Sequence, residues 1–294
     1  MNKIIVGLGE ILWDIFPERK VLGGAPANFA YHVSQFGFDG YAVSAIGDDE
    51  LGQDILTSLE DKGLKYLLEK TGFPTGTVDV KVNKRGIPEY NIHKNVAWDN
   101  IPFSEKTGEL ARITEAVSFG SLAQRSLVSR KSIKQFLGAM PQGSLKIFDI
   151  NLRQNFYTKE VIHESLEWAN MLKINDEEVV VLADLYGWKG HNEQDICKEI
   201  LAQYKLDIVI LTKGIEGSFV FTRKETSFQH TPKVHVADTV GAGDSFTAAF
   251  VSSYLNGDRI VDAHQLAVEV SAYVCTQHGA MPLLPDAYRE LFNK

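Results

Sequence analysis

The chain has 294 residues, 44% hydrophobic and 23% charged, the make-up of a globular protein with a sizeable core. Thirty Lys and Arg against 38 Asp and Glu give a net charge of −8, which argues against nucleic acid or an anionic membrane as partner. No apolar run nears the roughly 20 residues of a membrane span, the first apolar run is too short for a signal peptide, and Cys197 and Cys275 form no CxxC pair, so a cytoplasmic protein without disulfides or structural zinc is expected.

In chain order, residues 3–8 read as a buried strand. Residues 11–16 read as a second strand with no helix after it. Gly23-Gly24-Ala25-Pro26-Ala27-Asn28 is a glycine turn that opens a helix. Ala27, Ala30, Tyr31 and Ser34 recur at helical spacing, Pro26 suits the first turn, and Gly37 ends it. A buried strand at 41–46 follows. Val78-Asp79-Val80-Lys81-Val82 alternates apolar and polar residues, Asn83-Lys84-Arg85-Gly86-Ile87-Pro88 is a turn cluster, and Glu89-Tyr90-Asn91-Ile92-His93 resumes the alternation. This predicts a hairpin off the main sheet, either a lid or an ordinary edge hairpin. Buried strands at 116–119, 145–150, 171–174 and 208–212 come next. Ile260, Ala263, Ala267, Val270 and Val274 then form one apolar helical stripe. Strands alternating with helices imply a mainly parallel sheet covered on both faces.

Several common motifs are absent. The dipeptide Gly-Lys never occurs, so no P-loop exists, and Gly241-Ala242-Gly243-Asp244-Ser245-Phe246 fails the GxGxxG pattern at its last position. There is no HExxH and no GxSxG.

The stretch Asp238-Thr239-Val240-Gly241-Ala242-Gly243-Asp244 feeds a helix marked by Phe246, Ala249, Phe250 and Ser253. Glycines permit close approach of a ligand, and the free N–H groups of a first helical turn form an anion hole. Asp244 in that turn is expected to be held as a carboxylate. A carboxylate beside an anion hole suits phosphoryl transfer, as acceptor of the attacking hydroxyl's proton. The alternative is a capped helix with a glycine-rich entry.

Asp14, Gly24 and Asn28 offer acceptors and donors suited to a polyol; alternatively Asp14 is a turn residue and Asn28 faces solvent. Asp149-Ile150-Asn151-Leu152-Arg153, Asn175-Asp176-Glu177-Glu178 and Thr212-Lys213-Gly214 each follow a buried strand. Three successive strands ending in such residues predict a ligand cleft at one sheet edge.

Taken in order, these motifs resemble those of the ribokinase-like, PfkB-type carbohydrate kinases over nearly the whole chain. Phe119-Gly120-Ser121-Leu122-Ala123-Gln124-Arg125 and the Gly23–Asn28 turn are similar to the fructokinase branch. The resemblance implies one domain over residues 1–294, a three-layer α/β/α fold with a small β-sheet lid from about residues 11–22 and 76–100. It implies ATP-dependent phosphorylation of a sugar hydroxyl, fructose first among acceptors. Asp244 would be the base and Gly241, Ala242 and Gly243 the anion hole. Asp14, Gly24, Asn28 and Arg153 would bind sugar, and Asn175, Lys213 and Gly214 would serve the nucleotide. Glu178 would hold Mg²⁺ through water, and Asp238 a monovalent cation such as K⁺. Val240 stands where the family often has Thr or Asn, so a contact there must come from backbone. His93, Lys94 and Trp98 are either sugar contacts or lid packing. Ribose, a nucleoside or a 2-keto-3-deoxy sugar acid are the other acceptors, the acid because Arg binds carboxylate. A silent sugar-binding regulator on the same fold is the remaining alternative. Lid edges that need covering suggest a homodimer through the lid.

Overall fold

The computed structural model describes residues 2–82, 88–188 and 190–292; most of the expected turn cluster, 83–87, lies outside them. The chain enters through β1 (Ile4–Leu8) and turns into a small sheet as β2 (Leu12–Ile15) and β3 (Lys20–Gly23). It returns through α1 (Ala25–Gln35), β4 (Asp39–Gly47), α2 (Glu50–Asp61) and β5 (Lys65–Thr71). β6 (Thr77–Val82) and β7 (Pro88–Ile92) complete the small sheet. Then come α3 (Glu105–Arg112), β8 (Thr114–Phe119), α4 (Leu127–Ala139), β9 (Leu145–Asp149), α5 (Lys159–Trp168), β10 (Met171–Asn175), α6 (Asp176–Tyr186), α7 (Glu193–Gln203) and β11 (Ile208–Thr212). The meander β12 (Ser218–Thr222) and β13 (Thr226–Gln229) precedes α8 (Ala242–Asn256), α9 (Ile260–Cys275) and the single turn α10 (Asp286–Arg289).

Helix starts follow the side chains that satisfy their free N–H groups. Asp49, Ser126, Thr158, Asn175 and Asn192 each accept from a first-turn N–H of α2, α4, α5, α6 and α7. α1 instead enters from Gly24 at φ 117°, with a Pro in its first turn. A Cβ at Gly24 would lie 2.4 Å from the Glu10 carbonyl oxygen, so the turn requires glycine twice over.

The main sheet has the order β13-β12-β11-β10-β9-β8-β1-β4-β5. It is parallel from β11 to β5, and β12 and β13 are antiparallel additions. Successive residues serve opposite cores, as the strand period of two requires. Val6, Val117, Phe148, Leu172 and Val209 pack under α3 to α7, whereas Ile5, Ala116, Ile147, Met171 and Ile208 pack under α1, α8 and α9. Helices thus cover both faces, the three-layer arrangement that the sequence pattern implies.

The small sheet has the order β3-β2-β6-β7, with β2 and β6 parallel. Leu12, Val78, Val80 and Ile92 face the main core. On the other face His93 Nε2 meets Asp79 Oδ2 at 2.9 Å. Its base is fixed by Arg125, which donates to both Asp99 oxygens (2.8 and 2.9 Å) and stacks on Trp98 and Phe156. Trp98 is fully buried and Lys94 lies over the Phe156 ring, so both pack the base of this sheet.

From β1 the chain runs outward to β4 and β5 on one side; from β8 it runs to β9, β10 and β11 on the other. The crevice beyond the C-terminal ends of β1 and β8 is therefore the topological switch point, where open α/β sheets bind ligands.

Candidate active site

The switch-point crevice holds a cavity whose walls include Glu10 after β1, Ser118 and Gly120 at the end of β8, Asp149 and Asn151 at the end of β9, and Asp244 of α8. Every polar member stands at a strand's C-terminal end or in a helix's first turn. α1 closes one side with Ala25, Pro26 and Phe29.

Gly241 sits at φ 78°, and a Cβ there would lie 2.7 Å from Ala280. Ser245 N–H starts the helical ladder at the Gly241 carbonyl (2.8 Å). The first-turn N–H groups of Gly243 and Asp244 have no acceptor within the helix, the geometry of an anion hole. Beneath Gly243 lies Lys173 Nζ, only 3.0 Å from where a Cβ would stand. The hole thus has a buried cation at its floor, which strengthens it for a negative group.

Asp244 Oδ2 accepts a hydrogen bond from Asn28 Nδ2 at 2.7 Å. Asn28 is buried on α1, not on a solvated face, and its Oδ1 has no hydrogen-bond partner among the described residues. Glu10 Oε2 shares that condition. Of the two, Glu10 lines the cavity, and an unmet buried polar atom in a cavity wall marks where a polar ligand belongs.

The helix dipole does not dominate the Asp244 carboxyl, contrary to expectation. Burial, and then the nearby Asp149, push it up to about 6, against the opposing effects of Asn28, Lys173 and Arg153. A group near 6 is still about nine-tenths ionised at pH 7, so it remains a base and gains proton affinity. Burial likewise raises Asp14 to about 6, with Arg153 opposing. Asp14 lies on β2 of the small sheet, close enough to Gly23 that a Cβ there would meet Oδ2 at 2.7 Å.

The remaining expected residues lie outside the lining of this cavity, each held by its own contacts. Asn175 caps α6 and forms a reciprocal box with Glu178: Glu178 N–H donates to Asn175 Oδ1 (2.8 Å), and Asn175 N–H donates to Glu178 Oε2 (3.0 Å). Glu178 Oε1 accepts from Leu152 N–H (2.9 Å), so this carboxyl joins two strand ends. Lys213 is held by Glu193 and Glu216 at 2.8 and 3.0 Å, and Gly214 has φ 49°. Asp238 accepts from Val240 and Gly279 N–H groups, drawing two loops together beside the anion hole. Arg153 is exposed, donates to the Leu152 carbonyl (3.0 Å), and favours the charged forms of Glu10, Asp14 and Asp244.

Glu10 and Lys173 join the site although no motif singles them out. Glu10 stands just past the end of buried strand β1, as Asp149 stands at the end of β9. Lys173 interrupts the apolar run Met171-Leu172-Lys173-Ile174, and a charge there requires a partner.

The model for the pfkB family carbohydrate kinases matches residues 17–287. The chain belongs to this family. It is 29% identical to the Arabidopsis thaliana protein named probable fructokinase-5, over 99% of this chain and 98% of that one. It is also 29% identical to the Escherichia coli fructokinase, over 95% of each. The fold matches that of the ATP-bound fructokinase of Xylella fastidiosa with a TM-score of 0.82 at 19% identity, covering 97% and 96% of the two chains. The protein is thus an ATP-dependent carbohydrate kinase of ribokinase-like fold, near the fructokinase branch. Among the described residues, no helix is long and apolar enough to cross a membrane.

Proposed function

We propose that this kinase phosphorylates a neutral ketohexose, fructose foremost, with Asp244 as base. The Asn28–Asp244 hydrogen bond at the cavity carries the reading: it fixes one carboxylate oxygen and leaves Oδ1 to take the hydroxyl proton. The attacking oxygen then meets a phosphoryl group whose charge is held by the N–H groups of the Gly241–Gly243 turn above Lys173. Asp14, Gly24 and Asn28 supply the sugar contacts. Lys213 and Gly214 belong to the nucleotide side.

Charge favours a neutral acceptor over a sugar acid. Glu10, Asp14, Asp149 and Asp244 face Lys173 and Arg153, and Lys173 is already engaged by Asp149 at 3.2 Å. A further carboxylate would enter an acid-rich pocket.

Mg²⁺ fits as an ion that arrives with the ATP phosphates. Among the described residues, no group of three His, Cys, Asp or Glu side chains could hold a metal, and Mg²⁺ in such sites keeps waters and few protein ligands. Bound there, it would neutralise phosphate charge. Each Glu178 oxygen keeps a second lone pair for a metal-bound water. A monovalent cation such as K⁺ would lie beside Asp238. A cytosolic location suits the two free cysteines, Cys197 and Cys275, and a homodimer would cover the edges β3 and β7 of the small sheet, which serves as the lid.

Coupled ADP release across fructose, ribose, a nucleoside and a 2-keto-3-deoxy sugar acid tests the acceptor. Fructose is expected to lead in kcat/KM; preference for the acid would overturn the neutral-acceptor reading, and no turnover on any of them would favour a regulator. Arg153→Ala is expected to move the acid limb of the fructose profile to higher pH, because it removes the cation that favours ionised Asp14 and Asp244. An acid limb that stays in place would take Arg153 out of the site.

A further inference from the structure

Glu10 belongs to none of the groups placed in phosphoryl transfer above. It is 3% exposed, its Oε2 has no hydrogen-bond partner among the described residues, and it shares a cavity wall with Asp244. A buried carboxyl with an unmet oxygen is unfavourable when ionised, unless a ligand answers it.

The charged groups facing it are few. Asp244 from α8 and Asp149 from the end of β9 disfavour its ionisation, and Arg153 from the following loop favours it. α1 and the end of β8 contribute uncharged walls, Phe29 and Ser118 among them. With burial as the largest influence, the carboxyl is pushed up to about 7.

We propose that Glu10 is a positioning residue for the acceptor, its neutral carboxyl donating a hydrogen bond to a sugar hydroxyl and so holding the sugar against Asp244. Ionised Glu10 has no proton to donate and adds a negative charge beside the base. Sugar binding therefore weakens as pH rises through the Glu10 titration, while the bound sugar delays that titration. The alkaline limb consequently shows in kcat/KM before it shows in kcat. The inference rests on the sugar-kinase reading of the same cavity.

Initial rates of the wild type, Glu10→Gln and Glu10→Ala, at saturating Mg·ATP and across neutral pH, test it. The wild type is expected to give a bell in kcat/KM for its best sugar. Glu10→Gln, whose amide donates at every pH, is expected to keep the acid limb and lose the alkaline one. Glu10→Ala is expected to raise KM about 10- to 100-fold with kcat changed much less, the loss of one buried hydrogen-bond partner. An alkaline limb that survives in Glu10→Gln, or a wild-type KM in Glu10→Ala, would overturn the proposal. A wild type without turnover on any sugar would instead remove the function proposed above, and so the two failures are distinct.

Discussion

Asp244→Asn is expected to lower kcat by at least 10²- to 10⁴-fold, the usual contribution of general-base catalysis. Asn keeps the shape and can keep a hydrogen bond to Asn28, but it cannot take the hydroxyl proton. Binding of ATP and sugar, measured by calorimetry, should stay within a few-fold of wild type. A control separates lost chemistry from lost fold. Burial, and then Asp149, push the Asp244 carboxyl of the folded protein up to about 6, well above the ordinary aspartate range. Such a raised group contributes stability that is fully present below the unfolded value and is lost as pH rises through the folded one. Its ionised form at pH 8 therefore weighs against the fold, by at most about 3 kcal/mol for a shift of some two units. The variant should melt no lower than the wild type at pH 8 and should lose any advantage near pH 4. Near-normal turnover would take Asp244 out of the base role. A lower midpoint at pH 8 would show that the carboxylate supports the fold, contrary to the charge balance described here.

The glycine turn before α8 and the parallel sheet are legible because both rest on local signals: small residues before a helical stripe, and short Val- and Ile-rich runs between helices. β3 and β5 leave no clear strand signal because Lys20, Lys65, Glu69 and Lys70 break their apolar pattern where the strands are partly exposed. The meander β12 and β13 follows a strand that was read, but alternation in four or five residues is a weak signal. The site's less legible parts are tertiary. The capping box of Asn175 and Glu178 uses residues adjacent in sequence, yet the Leu152 N–H that takes the other Glu178 oxygen lies 26 residues away. The titration of Asp244 in α8 likewise depends on Asp149 at the end of β9. The helix terminus favours the charged form, but burial and Asp149, neither visible in the local sequence, outweigh it.

Lys173 is where that tertiary charge balance is most exposed to test. Its Nζ is buried 3.2 Å from Asp149 Oδ1, within the field of Glu178 and Asp244, and those carboxylates hold its titration above the ordinary lysine value despite burial. Lys173→Met should keep the volume and remove the charge, leaving Asp149, Glu178 and Asp244 to face one another. Breaking a buried ion pair on one side costs about 3–5 kcal/mol. For a chain of this size, that corresponds to a thermal midpoint lower by roughly 5–8 °C. The loss should depend on pH with a definite sign. Without the cation, burial holds the Glu178 and Asp244 carboxyls protonated to higher pH when folded than when unfolded, so stability falls as pH rises through their folded titrations. The deficit against wild type should be smaller near pH 5 than at pH 8. The floor of the anion hole also loses its charge, so kcat should fall together with a rise in the acid limb of the fructose profile. Differential scanning fluorimetry at the two pH values, with initial rates beside it, measures all three effects. A midpoint within about 2 °C of wild type at pH 8 would mean that these carboxylates do not depend on Lys173, and that the anion hole is built from backbone alone.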